Sequence, residues 1–305
     1  MDLLRTPAER FAAIDDFPWR PTFVDVPVAP GSAQTLRVAC IDEGPRHAPV
    51  VVALHGEPSW SYLWRGVAAP LLEAGLRVVL PDLVGFGRSD KPARVADHSY
   101  AAHVEWLRSA LFDALDLRDV TLVCQDWGGL LGLRLVAEHP ERFAAVVAAN
   151  TGLPDGTVRM PPEWLRFRDF VLRTEDLPTG FLVAGAVVTP LAEQVRAAYD
   201  APFPDASYKA GPRVMPSLIP LSPDMPGAAA NVAAWESLAQ FQRPFVCAFS
   251  DSDPITRGAD RLFRERVPGA AGQPHVTLAG AGHFLQEDVP ADLAEVVRAV
   301  VTRLE

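Results

Sequence analysis

Short apolar runs rich in valine alternate along the chain with longer stretches in which apolar residues recur every three or four positions. The first pattern is that of buried strands and the second that of helices laid over them, so the alternation predicts an α/β fold with a mostly parallel sheet flanked by helices. Residues 21–28 and 36–41 read as an opening hairpin across the turn Ala29-Pro30-Gly31-Ser32. Further strands are expected at 50–54, 77–80, 120–125 and 144–149. Helical period appears at 61–74, 98–115 and 130–138.

From about residue 153 the alternation stops. The stretch 153–225 holds many prolines and amphipathic pieces but no buried strand, and the sheet resumes only at 244–250 and 275–278. A separate domain beginning near residue 155 would have only those two late strands, too few for a sheet. The pattern therefore predicts one core domain made of 1–152 and 226–305, interrupted by a helical cap domain at 153–225.

Composition bounds the setting. The 305 residues are 49% hydrophobic and 22% charged, with 38 acidic against 28 basic side chains and a formal charge of −10. Such a chain buries a large core without disulfides, and its odd number of cysteines, Cys40, Cys124 and Cys247, lies in apolar contexts. A disulfide scaffold and a metal site are not expected. Charged residues break up the first twenty positions, and no apolar run approaches the ~18 residues of a bilayer span, so a cytoplasmic location is expected. The acidic balance argues against nucleic acid or an anionic membrane as partner.

Three segments carry chemistry. The run 120–125 ends in Asp126-Trp127-Gly128-Gly129 and enters a helix, which puts an acid at a sharp strand-to-helix turn. A nucleophile at such an elbow crowds its neighbours and needs small residues beside it; Gly128 stands two positions after and Cys124 two before. Plain helix capping also places Asp at such a point. The run 50–54 leads into His55-Gly56-Glu57-Pro58, where inward N–H groups would build an oxyanion hole from the backbone of Glu57 and of Trp127. His283, in the glycine-rich turn after the last strand, comes last in chain order, behind an elbow residue and an acid. That is the order Ser…Asp…His with Asp in place of Ser. The acid is expected after 244–250, where Asp251 and Asp253 are the candidates.

A carboxylate is ionised at neutral pH and is a better nucleophile at sp³ carbon than at an acyl group. The chemistry expected of Asp126 is therefore alkyl transfer: it displaces a leaving group, and His283 then activates water to attack the resulting ester. A halide leaving group needs N–H donors, whereas an epoxide needs an acid, usually Tyr.

The segments 55–63 (HGEPSWSYL), 82–92 (DLVGFGRSDKP) and 125–129 (QDWGG) together resemble the haloalkane dehalogenases of the α/β-hydrolase superfamily. The stretches 4–11 and 199–205 resemble them as well. The likeness is to the subgroup with Glu in the His-Gly-Glu-Pro turn and its acid after the late strand. In the other main subgroup an Asn in that turn donates to the halide and the acid follows the preceding strand, positions that here hold Glu57 and Asn150. The resemblance thus implies Asp126 as nucleophile, Asp253 as acid and His283 as base. It implies hydrolysis of a small apolar halogenated substrate with water as co-substrate, no metal and no organic cofactor; it leaves the oligomeric state open.

It also implies that the Trp127 indole binds the halide, a role suited to a donor without a competing acceptor, with a second indole from the first cap helix. In the matching segment 163–170 that position holds Phe167, which offers no N–H. Trp164, three residues earlier on nearly the same helix face, is the candidate substitute, its other role being packing. The alternatives are an epoxide hydrolase with the same Asp-His-Asp machinery, which would need cap tyrosines such as Tyr199 and Tyr208, and a catalytically weak ligand receptor. Both tyrosines sit in dehalogenase-like sequence, and all three polar catalytic positions are retained. Trp60, Trp64 and Trp106 are read as packing residues, and Phe170, Val171 and Leu172 as lining an apolar cavity.

Overall fold

Successive residues of a strand face opposite sides, so runs that are apolar at every position can only be satisfied between two layers of helices. The computed structural model, which describes residues 1–304, meets that requirement with an eight-stranded sheet. Its strands are β1 (Thr22–Pro27), β2 (Thr35–Glu43), β3 (Val50–Leu54), β4 (Arg77–Pro81), β5 (Val120–Gln125), β6 (Phe143–Ala149), β7 (Phe245–Ser250) and β8 (Val276–Leu278). They lie in the order β8-β7-β6-β5-β3-β4-β2-β1. The pairs β1/β2 and β2/β4 are antiparallel and the rest parallel.

The helices of the first half are α1 (Arg65–Glu73), α2 (Tyr100–Arg108) and α3 (Trp127–Glu138). Between β6 and β7 the chain leaves the sheet and forms α4 (Pro162–Arg173), α5 (Thr179–Ala184), α6 (Glu193–Asp200) and α7 (Ala210–Leu218). It returns through α8 (Ala228–Leu238), and the C-terminal part adds α9 (Asp260–Arg266), α10 (Leu285–Asp288) and α11 (Pro290–Thr302). Val52, Leu54, Leu122 and Cys124 pack with residues of α2, α3, α8 and α9 on one face. Val51, Ala53, Val123 and Val147 pack with those of α1 and α11 on the other. The inserted helices α4–α7 sit over the carboxyl ends of the strands, and the N-terminal segment ties them down, with Thr6 Oγ1 donating to the Pro202 carbonyl at 2.6 Å and Arg10 Nε to that of Ala201 at 3.3 Å. Among the described residues no helix is long and apolar enough to cross a membrane.

Two elements differ from the sequence expectation. Helix α3 begins at Trp127 rather than at 130, because the elbow feeds straight into it and Gly128 and Gly129 hide its first turn from a reading based on propensity. The helix expected over 98–115 is α-helical only to Arg108 and continues as a π-turn, Ser109–Ala114.

Leu131 on α3 is fully buried, whereas Val232 on α8 is largely exposed. Leu131→Ala is expected to cost about 2–5 kcal/mol by leaving a cavity, and Val232→Ala less than about 0.5 kcal/mol, as measured by urea unfolding.

Candidate active site

Register places the chemistry. Leu54, Cys124, Ala148 and Cys247 form one row across β3, β5, β6 and β7. Two residues beyond that row the strands end in Gly56, Asp126 and Asn150, so the turns leaving adjacent strands meet at one point. This is the crevice at the carboxyl edge of a parallel sheet. Asp126 stands there with φ 49° and ψ −126°, a left-handed φ that non-glycine residues rarely adopt. The conformation is held from both sides: Asp126 N–H donates to the Asn150 carbonyl at 3.1 Å, and the Asp126 carbonyl accepts from Gly129 N–H at 2.9 Å and Thr151 Oγ1 at 2.7 Å. Side chains are excluded at the neighbouring glycines. A Cβ on Gly56 would collide with the Asp126 carboxylate, and one on Gly128 with the Leu54 carbonyl oxygen.

Glu57 N–H donates to Asp126 Oδ1 at 2.8 Å. The turn that aims it is braced by His55, whose Nδ1 lies 2.9 Å from the Gly56 carbonyl and whose Nε2 accepts from Leu83 N–H at 2.9 Å. Trp127, the other expected donor, supplies the first N–H of α3, which has no intrahelical partner. On the opposite side His283 Nε2 lies 3.5 Å from Asp126 Oδ2, and its Nδ1 lies 3.0 Å from Asp253 Oδ2. Of the two candidate acids the structure thus brings Asp253 to the imidazole. Asp251 is exposed and accepts from Gly280 N–H.

The charges are strongly coupled. Burial would push the His283 imidazole toward its neutral form, but the charge of Asp253 and the hydrogen bonds and charge of Asp126 outweigh it and raise its pKa above the ordinary 6.5. Burial would likewise raise Asp253; the His283 charge and bonds from His283, Thr256 and Ile255 instead hold it at about 2. Glu57 goes the other way. The residue is only 4% exposed, its Oε1 has no hydrogen-bond partner, and burial together with the nearby Asp126 charge pushes its carboxyl well above the usual carboxylate range. Burial beside Asp126 thus favours the neutral form of the Glu57 carboxyl.

A cavity of about 460 Å³ lies between the sheet edge and the inserted helices, and is lined by Asp126, Trp127, Trp164, Phe167, Phe181 and His283 among others. Trp164 and Phe167 project into it from one face of α4, one turn apart. The indole N–H groups of Trp60, Trp106 and Trp235 are each bound to a backbone carbonyl. Those of Trp127 and Trp164 have no acceptor among the described residues. The expectation for Phe170, Val171 and Leu172 is overturned: Phe170 and Leu172 are 42% and 47% exposed and Val171 is buried, because only the face bearing Trp164 and Phe167 turns toward the cavity. Tyr199 donates instead to Glu287, and neither it nor Tyr208 lines the cavity. No group of three or more His, Cys, Asp or Glu side chains among the described residues is placed to hold a metal ion.

Several positioning residues escaped the sequence reading. Asn150, itself at φ 36°, donates through Nδ2 to the carbonyls of Gly282 and His283 at 2.9 and 3.0 Å and to Ser250 Oγ at 2.8 Å, so it fixes the histidine turn. Gln125 Nε2 lies 3.0 Å from His283 Nε2 and donates to the His283 carbonyl at 3.2 Å. From the insertion, the Ala186 carbonyl accepts His283 N–H at 2.8 Å. The only signal was proximity to a motif: Gln125 precedes Asp126, and Asn150 ends the next strand.

Because the folded chain holds Glu57 above its ordinary pKa of 4.5, it loses stability relative to the unfolded chain as pH rises past that value. Glu57→Gln removes this titration. The stability of the variant relative to the natural chain should rise with pH by up to about 1.4 kcal/mol per unit, and stay flat at lower pH. Urea unfolding at a series of pH values measures the trend; a pH-independent difference would mean that Glu57 is ionised in the folded chain.

Comparison with known proteins gives a consistent answer. Residues 49–290 match the family model described as alpha/beta hydrolase fold. The chain is 48% identical to a haloalkane dehalogenase of Psychrobacter cryohalolentis, covering 97% of both chains, and 50% identical to haloalkane dehalogenase 1 of Mycobacterium tuberculosis, again covering 97% of each. Among solved structures, the tetrameric haloalkane dehalogenase of Paraglaciecola agarilytica superposes with a TM-score of 0.90 at 33% identity, over 99% of this chain and 98% of that one. With an elbow aspartate facing a histidine under an inserted helical layer, and relatives of this closeness along nearly the whole length, the chain belongs to the haloalkane dehalogenases of the α/β-hydrolase fold.

Proposed function

We propose that the chain hydrolyses small apolar haloalkanes through an alkyl ester on Asp126, with residues 153–225 as the cap. The observation that carries the reading is the Asp126 carboxylate itself, held by Glu57 N–H on Oδ1 and faced by His283 at Oδ2, at the floor of a largely apolar cavity. Oδ1 is committed to the Glu57 donor, so Oδ2 attacks the carbon bearing the halogen. The carbon–halogen bond breaks with its electron pair on the halide, and the free N–H groups of Trp127 and Trp164 receive that anion.

Alkylation removes the charge of Asp126, one of the influences that raise the His283 pKa. The imidazole is thereby shifted toward its neutral form in the state that needs a base. Its Nδ1–H is oriented by Asp253, and Nε2 takes a proton from water, which attacks Cγ of Asp126. The negative charge that develops on Oδ1 is met by Glu57 N–H, with Trp127 N–H as the second donor. Collapse breaks the Cγ–Oδ2 bond; the departing alkoxide takes the proton from His283 and leaves as the alcohol, and the regenerated Asp126 carboxyl loses the proton that came with the water oxygen, so each turnover yields alcohol, halide and one proton. Neither the metal-free reaction nor the absence of an organic cofactor leaves a step without a group to perform it. The epoxide reading would require a phenol in the cavity, and Tyr199 and Tyr208 are elsewhere. Three free, buried cysteines fit a cytoplasmic location.

Purified protein given a brominated short alkane should release bromide and acidify a weak buffer. His283→Ala should lower turnover by about 10²–10⁴-fold and accumulate an added mass on Asp126; absence of both, with turnover of a simple epoxide, would transfer the reading to the rival. Trp164→Phe should weaken inhibition by bromide about ten- to a hundredfold, the value of a hydrogen bond to a charged group. Unchanged inhibition would assign Trp164 to packing alone.

A further inference from the structure

A second cavity, about 370 Å³, meets the first at Asp126, Trp164 and Ile255 and runs the other way, between the segment after β6 and the loop after β7. Its inner wall is buried and apolar, with Leu130, Leu153, Trp235 and Phe263. Two polar side chains on that wall are already engaged: Thr151 Oγ1 donates to the Asp126 carbonyl and Thr256 Oγ1 to Asp253. The outer end is different. Val158, Arg159, Arg257 and Gly258 are exposed there, and apart from Asp126 at the floor no acidic residue lines the cavity. Arg159 has no side-chain partner among the described residues, and Arg257 uses only Nη2, on the Asp251 carbonyl at 3.1 Å. Asp155, the nearest acid of the same segment, is turned onto its own loop through Thr157. The first cavity instead carries Glu163, Phe181 and Val188.

On a chain with a formal charge of −10, Arg159 and Arg257 put two positive charges on the exposed lining of an apolar corridor that starts at Asp126. We propose that the second cavity seats the tail of haloalkanes whose far end is a carboxylate, with the carbon–halogen bond at Asp126 and the carboxylate between Arg159 and Arg257. The assignment rests on the dehalogenase reading of Asp126. The carboxylate remains at the hydrated rim, so it avoids the desolvation that a charge inside the corridor would suffer. The apolar wall binds acid and alcohol tails alike, and the arginines supply the discrimination.

The test compares ω-bromoalkanoates with ω-bromoalkanols of increasing chain length, by kcat/KM for bromide release. Short acids should be poorer substrates than the matching alcohols, and the order should reverse once the chain spans the corridor. Converting Arg159 and Arg257 together to Glu should lower kcat/KM for the long acid about tenfold, consistent with two exposed ion pairs, and leave the alcohols and 1,2-dibromoethane unchanged. The double Lys variant should retain the preference, and added salt should weaken it. A second arm needs no turnover: calorimetric binding of an unbrominated long-chain alkanoate against the alkanol, with the natural chain, Arg159→Glu and the double variants. Bromide release from 1,2-dibromoethane without selective binding of the alkanoate, or equal losses for acid and alcohol in the Glu variant, would overturn the proposal. Selective, arginine-dependent binding without bromide release from any substrate would uphold the anion site and overturn the dehalogenase reading.

Discussion

The backbone of Asp126 occupies a conformation that costs about 1–3 kcal/mol for a residue with a side chain, and the rest of the site is arranged around that turn. Strain of this kind persists only where the surroundings over-determine it. Here the Asn150 carbonyl, the first N–H groups of α3 and the Thr151 hydroxyl all bind the Asp126 peptide groups. Gly56 and Gly128 lack side chains because the chain passes too close to Asp126 and Leu54 to admit a Cβ. Relaxing the turn would withdraw the carboxylate from Glu57 N–H and from His283 at once.

The same point organises the electrostatics. Three carboxyl groups and one imidazole share a buried region, a combination that would be unstable with every acid ionised. The structure separates them by environment: the His283 charge and hydrogen bonds favour the ionised form of Asp253, burial beside Asp126 favours the neutral form of Glu57, and His283 lies between Asp253 and Asp126. Burial that favours the neutral form of Glu57 leaves its backbone N–H as its contribution at Asp126 and limits the negative charge beside that carboxylate.

The strands were legible because burial on both faces makes every position apolar, so β3, β5 and β6 stand out as unbroken runs. Asp126 and His283 could be read from turn chemistry and chain order, which are local or one-dimensional. Choosing between Asp251 and Asp253 required the resemblance, since two acids two residues apart differ only in the direction that the loop takes. Asn150 and Gln125 carried no motif, and their roles depend on hydrogen bonds to a turn more than a hundred residues away. Phe170 and Leu172 were misread because apolar character was taken for direction: both are exposed, and Val171, though buried, does not reach the cavity that Trp164 and Phe167 line. The second cavity is assembled from the insertion itself and from core segments on both sides of it, a convergence that no single stretch announces.

The hydrogen bond from His283 N–H to the carbonyl of Ala186 joins this histidine to the inserted helices rather than to the sheet alone. The insertion is therefore not an interchangeable module that sets selectivity while an independent core performs the chemistry. Recombining this segment with that of a relative transplants one of the supports of the histidine along with the cavity wall. At this junction the cavity wall and the placement of His283 are inherited together, and a chimera that alters one without the other must preserve the backbone path through Ala186.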